Sequence, residues 1–558
     1  MKWSLLTKTV EGTTLISLFI FVFLPSVELL IYTLMHYQEI YVNVFANPIT
    51  FDSEWRNMLS ALWLSVRLSV TSVFIDLIIG VPLAYTLATK KIPAKQFLSE
   101  LMTLPLIVPT SAFGFACMLT WASPSGLGWL LGLKSGIISH YEVVPFLGVP
   151  TLLLLVHVAL TLPYLARNLY TTILESDPTY VMAARTLGAA SATAFRTVTL
   201  PTVLPSLISG MVLAFARSLG ETGATLVVAG VQVTASVAIV RWQYQLRVAS
   251  ATFLGFILIL VSWCLIVPIE LLAERGPRAR KREIGVFVRL ERYLTLLERR
   301  VSKGLSWLKD LLGIIPFLLL SIVPILTVIV LSFSYMYADP FTGRVEGGIL
   351  YYLLGPPSYL GAILKSLSTS FVISGTATLI AISIGLPTAF LVSERRYGKI
   401  LRTLLSIPLV LPTSALGLSM LLFWASRGVK PGVWLTIMTH VVFMVPVVVE
   451  AIISSYKTAG ERSLREVARS LGANPYDVLE TITLPLIKSG VITGGVLSFA
   501  QSLGETGATF LVMGSDMTIS TLVVNMVEAQ AVPAALFTSA LLLAISTTIL
   551  LAFKYLMR

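Results

Sequence analysis

Two carboxylates stand in apolar surroundings and share one sequence context. Glu221 lies in Leu219-Gly220-Glu221-Thr222-Gly223-Ala224-Thr225, and Glu505 lies in the identical Leu503-Gly504-Glu505-Thr506-Gly507-Ala508-Thr509. Phe215-Ala216-Arg217-Ser218 precedes the first copy and Phe499-Ala500-Gln501-Ser502 the second. An ionisable residue inside a membrane span is costly and marks a functional site by default. Arg217 offers charge-assisted hydrogen bonds to an oxyanion. Thr222, Thr225, Thr506 and Thr509 offer neutral hydroxyls. Glu221 and Glu505 would repel an anion if they faced a passage ionised. The consistent reading has them pair with arginine, or cap backbone where glycine loosens the helix. A translocation path or gate is therefore expected at Arg217, Glu221, Thr222, Thr225, Gln501, Glu505, Thr506 and Thr509. The competing reading is packing, with Gly220, Gly223, Gly504 and Gly507 bringing helices close and threonines bonding between them.

The elements that hold these residues follow from composition. The 558 residues are 56% hydrophobic and 12% charged, with mean hydropathy +0.86. Soluble domains carry roughly 25% charged residues, so this is an all-α integral membrane protein. Apolar runs of about 20 residues suit helices rather than barrel strands. Residues 13–35 are long for a signal peptide and read as a first membrane helix. Cys117 and Cys264 imply neither a disulfide framework nor a metal site. No catalytic residue is expected. The net charge of +12 fits basic cytoplasmic loops and calls for no nucleic acid.

Twelve spans are expected, near 12–36, 58–89, 97–122, 149–172, 202–229, 247–272, 312–335, 364–393, 401–425, 433–456, 487–513 and 533–556. With both termini inside, the inner segments hold 28 Lys and Arg. The outer loops hold six: Arg56, Lys134, Arg241, Arg344, Arg427 and Lys430. That asymmetry predicts cytoplasmic termini in a multi-pass protein of the cell membrane. The remaining cations lie in or beside spans, most near enough to an end to snorkel. Arg217 is harder to place that way.

The repeat extends along the chain. Gly80-Val81-Pro82 is answered by Gly385-Leu386-Pro387, and Pro105 to Ala112 by Pro408 to Ala415. His157 with Pro163 is answered by His440 with Pro446. Six spans per half is an even number, so the halves run parallel as two six-helix pseudo-repeats. Residues 1–272 form the first half, 273–311 a connector and 312–558 the second half. The first half carries extra residues in the outer loop near 123–148, around Trp129, Leu130 and Leu131. That loop either docks a partner or lies on the membrane. The connector holds eleven Lys and Arg. Val286, Leu290, Leu294, Leu297, Val301 and Leu308 recur in it at near-helical spacing, which predicts an amphipathic helix on the inner face.

Between the fourth and fifth spans each half projects a short helix. In the second half Ser463 to Glu466 reads as a capping box, Gly472 as a left-handed stop, and Asn474-Pro475 as the next helix start. In the first half Asp177-Pro178 starts the helix, Gly188 ends it, and Ser191 caps its successor. The pattern from Glu466 through Ala468 and Gly472 to Ile482-Thr483-Leu484-Pro485 resembles the "EAA" signature of ATP-binding-cassette importer permeases. Ala183, Ala184 and Gly188, leading to Val198-Thr199-Leu200-Pro201, keep the spacing, with Met182 where that family has Glu. The resemblance covers essentially the whole chain, as two fused six-span permeases of the type I importer fold.

The resemblance implies that Ala183, Ala184, Gly188, Glu466, Ala468 and Gly472 lie in coupling helices gripped by two separate ATPase subunits. It also implies a separate extracytoplasmic solute-binding protein. No phosphate-binding loop motif occurs in the chain, so ATP and magnesium belong to the partner subunits and this chain needs no cofactor. The Ala216 to Ala224 run is similar to that of molybdate, tungstate and sulfate permeases. The fused arrangement is also familiar in ferric-iron and thiamine permeases. A different class, the ion-coupled secondary transporter, would use Asp76, Glu221, Glu505, His157 or His440 at the midplane, but gives the paired short helices no role.

Overall fold

In hydrocarbon every backbone polar group must be bonded internally, so an apolar run of about 20 residues becomes a helix. The computed structural model describes residues 2–46, 53–129, 131–139, 142–274, 293–296, 298, 306–458 and 461–556. Among them are ten helices long and apolar enough to cross a membrane, or twelve spans when two bent pairs are counted as one each.

The first half contains α1 (Thr9–Ser26), α2 (Glu54–Thr89), α3 (Lys95–Ile107), α4 (Thr110–Ala122) and α5 (Thr151–Glu175). It continues with α6 (Thr179–Thr186), α7 (Ser191–Gly220), α8 (Gly223–Val228), α9 (Ala235–Tyr244) and α10 (Val248–Glu274). The second half repeats the series: α11 (Asp310–Ser334), α12 (Tyr359–Glu394), α13 (Gly398–Val410), α14 (Thr413–Ala425) and α15 (Val433–Thr458). Then follow α16 (Glu461–Ser470), α17 (Leu479–Gly504), α18 (Gly507–Val512), α19 (Ile519–Glu528) and α20 (Val532–Leu556). Each helix of the first half thus has its counterpart ten numbers on.

Three expectations need correction. The third spans are not straight: α3 meets α4 at 109° and α13 meets α14 at 103°. The cause is Pro109 and Pro412. A proline pushes its preceding residue out of the helical region, and Val108 (ψ 132°) and Leu411 (ψ 133°) are extended accordingly. The fifth spans also break, after Gly220 and Gly504, where Glu221 and Glu505 are extended (ψ 124° and 129°). Finally, the loops expected after the fifth spans contain buried helices, α9 and α19. At ten residues each they are too short to register as spans.

The first helices are exchanged between the halves. Ser419 of α14 donates to the Pro25 carbonyl at the end of α1, and the Leu29 N–H donates back to Ser419 Oγ at 3.3 Å. Glu11 accepts from Arg395 and Tyr397 beyond α12. Symmetrically, α11 crosses α2 so closely that a Cβ on Gly313 would lie 2.5 Å from the Leu83 nitrogen. Asp310 accepts from Thr86 at 2.7 Å and pairs with Lys90.

Within each half, α4 lies against α8 at a glycine. A Cβ on Gly114 would sit 2.6 Å from Ala224 Cα, and one on Gly417 2.7 Å from Ala508 Cα. The obstacle is backbone, which cannot swing aside. Gly114→Val is expected to cost about 1–3 kcal/mol by overpacking, read as a lower Tm of the purified chain in detergent. An unchanged Tm would show that the two helices separate freely.

The long loop between α4 and α5 forms a short hairpin of two-residue strands, β1 (Val143–Val144) paired antiparallel with β2 (Val149–Pro150). Trp129 stacks edge-on against Phe341 of the second half at 6.1 Å. Leu130, like Val286, Leu290, Leu297 and Val301 of the connector, lies outside the described residues.

Candidate functional site: a constriction of broken helices

The break at each Glu is closed by its own residues. The Ala224 N–H donates to Glu221 Oε1 (3.0 Å) and the Thr225 hydroxyl to the Glu221 carbonyl (3.1 Å). The second copy is the same within a tenth of an ångström: Ala508 N–H to Glu505 Oε1 (3.1 Å) and Thr509 hydroxyl to the Glu505 carbonyl (3.0 Å). Thr222 and Thr506 donate to the carbonyls of Gly220 and Gly504 (3.2 and 3.3 Å). Backbone freed by the break is therefore satisfied locally, as it must be at membrane depth. Each Glu starts the short helix after it. Glu221 in addition has Oε2 2.7 Å from Arg217 Nη2, so both readings made of these carboxylates, capping and pairing, are realised in the first half.

The four breaks meet across the halves. A Cβ on Gly220 would lie 3.0 Å from Pro412 Cα, and one on Gly504 3.0 Å from Pro109 Cα. One on Gly223 would lie 2.5 Å from Thr110 Oγ1 and 2.8 Å from Thr506 Oγ1. One on Gly507 would lie 2.7 Å from Thr222 Oγ1 and 2.9 Å from Thr413 Oγ1. Only glycine permits this approach. The result is a pseudo-twofold constriction in which each repeat touches the other repeat's proline bend.

Beside it lies a cavity of about 350 Å³ whose polar lining is Arg217, Gln501, Glu505, Thr110, Thr413 and Tyr164. Most of its walls come from the stretches before the breaks, Leu106 to Val108, Leu213 to Gly220, Pro408 to Leu411 and Leu497 to Gly504, so it lies mainly on the α6/α16 side of the constriction. The expected path residues divide in three. Arg217, Gln501 and Glu505 line the cavity. Glu221, Thr222 and Thr506 are buried in the constriction. Thr225 and Thr509 are fully buried and turn away from the cavity, towards two histidines.

Those histidines are the site residues the sequence reading did not assign to the gate. His157 Nδ1 lies 2.8 Å from Ser218 Oγ and Nε2 3.0 Å from Thr225 Oγ1. His440 makes the same pair, to Ser502 (2.6 Å) and Thr509 (3.0 Å). Each buried ring therefore bridges a residue before the break and one after it. The signal was present in the nearly equal offsets of the histidines and the Gly-Glu-Thr-Gly copies. Asp76, also buried, accepts from Thr161 (2.6 Å) and has no acidic counterpart in the second half.

On the face where α5 and α15 end, α6 and α16 close in the same way. The Gly188 N–H donates to the Arg185 carbonyl (3.0 Å) and the Ala189 N–H to the Ala184 carbonyl (3.1 Å). Gly472 bonds Arg469 (3.1 Å) and Ala473 bonds Ala468 (3.0 Å). This is the paired helix stop that needs a left-handed residue, and Gly188 (φ 90°) and Gly472 (φ 91°) supply it. The alanines of the motif thus carry the capped carbonyls. Leu187 and Leu471 stand at these ends 89% and 82% exposed, a large apolar side chain offered twice at one place.

The starts differ from expectation. The α16 backbone is already helical at Glu461, so Ser463 falls inside the first turn and does not begin a capping box; its side chain lies outside the described residues. Ser191 is the first helical residue and makes no cap. Asn474 does cap, accepting from the Asp477 N–H at 3.0 Å. Asp177 accepts from the Thr179 N–H at 2.9 Å. Hydrogen bonds from the Thr179 side chain and backbone hold the Asp177 carboxyl below the ordinary carboxylate range. The supports differ too. Arg465 of α16 pairs with Glu394 and lies over Tyr456 at 5.7 Å. In the first half Thr193 and Arg196 donate to Glu298 of the connector at 2.7 and 2.6 Å.

Two parallel bundles of membrane helices, meeting at a constriction and each projecting a capped short helix on one face, define a transport protein of the permease class. A model of the family described as binding-protein-dependent transport system inner membrane component matches twice, over residues 77–275 and 378–558, and the chain belongs to that family. The chain is similar to the molybdate/tungstate transport system permease protein of Pyrococcus furiosus, 28% identical over 38% of this chain and 78% of that protein. It is similar to the molybdenum transport system permease protein of Mycobacterium tuberculosis, 33% identical over 38% and 76%. It is also similar to the sulfate transport system permease protein of Salmonella typhimurium, 29% identical over 48% and 92%. Less than half of this chain accounts for most of each relative, in keeping with two fused copies. With that membership the ion-coupled reading falls away.

Proposed function

We propose that the chain is the complete transmembrane pathway of an ATP-binding-cassette importer for a tetrahedral oxyanion of the molybdate, tungstate and sulfate class. The similarity to permeases named for these three solutes carries the reading. The cavity contributes Arg217 as its cationic lining residue, held in place by its pairing with Glu221, with Gln501, Thr110 and Thr413 as neutral polar groups beside it. In this reading the constriction is the closed gate, and Arg217, Gln501 and Glu505 face the solute after it passes. Glu221, Thr222 and Thr506 hold the gate closed, while Thr225 and Thr509 anchor it from behind.

The distribution of Lys and Arg supports a cytoplasmic α6/α16 face with both termini on the same side. Two ATPase subunits, holding ATP and magnesium, grip α6 through Ala183, Ala184 and Gly188 and α16 through Glu466, Ala468 and Gly472. A solute-binding protein delivers from the opposite side. The test is uptake by the reassembled transporter in proteoliposomes with its binding protein, offered tungstate, molybdate, sulfate, ferric iron and thiamine. Uptake of an oxyanion is expected, and Arg217→Gln should reduce it about tenfold, the loss of one charge-assisted contact, with ATPase activity retained. Uptake of iron or thiamine and of no oxyanion would overturn the substrate.

A further inference from the structure

On the face away from α6 and α16 the two halves differ at one corner. Ser65 and Ser370 mark the correspondence, since they accept from the first N–H groups of α9 and α19, both at 2.8 Å. By the same offsets Ser60 answers to Lys365 and Gln232 to Asp516. In the second half these two form an ion pair, Lys365 Nζ to Asp516 Oδ1 at 3.8 Å. In the first half the corner is instead a cavity of about 480 Å³, lined by Asn57, Ser60, Arg67, Gln232 and Trp242 among others. Arg67 answers to Val372, so its charge belongs to the first half alone.

That charge has only neutral company. Arg67 Nη1 donates to the Leu147 carbonyl at 3.3 Å, the guanidinium lies 5.6 Å over the Trp63 ring, and the buried Nε has no hydrogen-bond partner. No carboxylate pairs with Arg67 among the described residues. The hairpin closes over it at Gly148 (φ 60°), where a Cβ would lie 2.6 Å from Nη1. The backbone is thus fitted to the guanidinium while the cavity in front of it stays open. A guanidinium flanked by two side-chain amides and a hydroxyl, with no fixed counter-charge, is matched to an anion with several acceptor oxygens.

We propose that this cavity binds one tetrahedral oxyanion at Arg67, on the entry side of the constriction. Its lining residues Val231, Gln232 and Val233 lie just beyond the end of α8 at Val228, nine to eleven residues along the chain from Thr222. Two sources present this chemistry. One is the transported solute, in which case the site is its first stop in the membrane and the inference rests on the oxyanion reading above. The other is a phospholipid phosphate, which Trp63, Val70 and Phe74, exposed along α2, would bring alongside.

The experiment uses the full chain, in detergent and in nanodiscs of phosphatidylglycerol or phosphatidylcholine, as wild type, Arg67→Gln, Arg67→Lys and Arg217→Gln. Tungstate binding is measured by equilibrium dialysis and retained phospholipid by native mass spectrometry, with Tm as the check on folding. A tenfold or greater loss of tungstate affinity in Arg67→Gln, partly restored in Arg67→Lys, supports the solute form. Loss of one retained phospholipid with tungstate binding unchanged supports the headgroup form. Tungstate binding that falls only in Arg217→Gln, with equal phospholipid in all four proteins, overturns the proposal, as does equality of wild type and Arg67→Gln in both assays. Uptake by the wild-type transporter, measured separately, reports on the substrate reading alone.

Discussion

Replacing Gly472 with valine is expected to lower the solute moved per ATP hydrolysed by roughly tenfold, leaving the membrane helices folded. Nothing lies within 4 Å of the position a Cβ would take there, so no clash contributes. The whole effect comes from the backbone. Gly472 sits at φ 91°, where a β-branched residue is strained by about 1–3 kcal/mol. Relieving the strain undoes the bonds to the Arg469 and Ala468 carbonyls and turns Leu471, the exposed apolar side chain at the helix end, to another direction. A penalty of that size depopulates the docking geometry roughly five- to a hundredfold. ATPase activity of the assembled complex should persist while uptake falls. If the ratio of uptake to hydrolysis stays at the wild-type value, α16 is not the coupling helix. Gly188→Val is the matched test on α6, where Glu298 of the connector holds the start of the following helix α7 through Thr193 and Arg196.

The helix ends were legible in the sequence because their chemistry is local. A glycine at the stop needs only its own φ and the carbonyls three and four residues before it, and both stops were read correctly. The starts at Glu461 and Ser191 were not, because several polar residues near each start can serve as a cap and neighbouring structure chooses among them. The breaks at Pro109, Pro412, Glu221 and Glu505 lay in plain view but inside hydropathy windows, which register apolar length and not direction. A span bent by 109° and a straight one have the same composition. The meeting of Gly220 with Pro412, and of Gly504 with Pro109, was beyond reach. It depends on how the two halves face each other, and no local pattern encodes that. The repeat said only that two like elements exist.

Joint loss of His157 and His440 should harm transport most. From His157 to its end at Glu175, α5 spans about 27 Å at 1.5 Å per residue, and only Ser176, Asp177 and Pro178 separate it from α6. In the proposed reading one end of this helix moves with α6, and the other carries a ring bonded on both sides of the break at Glu221. Pro163 removes one hydrogen bond between them, yet α5 remains helical throughout. The second half repeats the construction with α15, His440 and α16. In the double variant His157→Ala/His440→Ala, Ser218, Thr225, Ser502 and Thr509 lose four buried hydrogen bonds, worth about 0.5–1.5 kcal/mol each in net terms. The break would then no longer follow the helix that drives it. ATP hydrolysis is expected to continue at a near-normal rate with uptake down about a hundredfold, a loss of some 2.7 kcal/mol of coupling. Glutamine in place of both histidines keeps a donor and an acceptor and should restore part of the uptake. A merely structural role predicts a different pattern, with Tm, hydrolysis and uptake falling together and no rescue by glutamine. A double alanine variant that transports normally per ATP would mean that the gate is driven through some other contact.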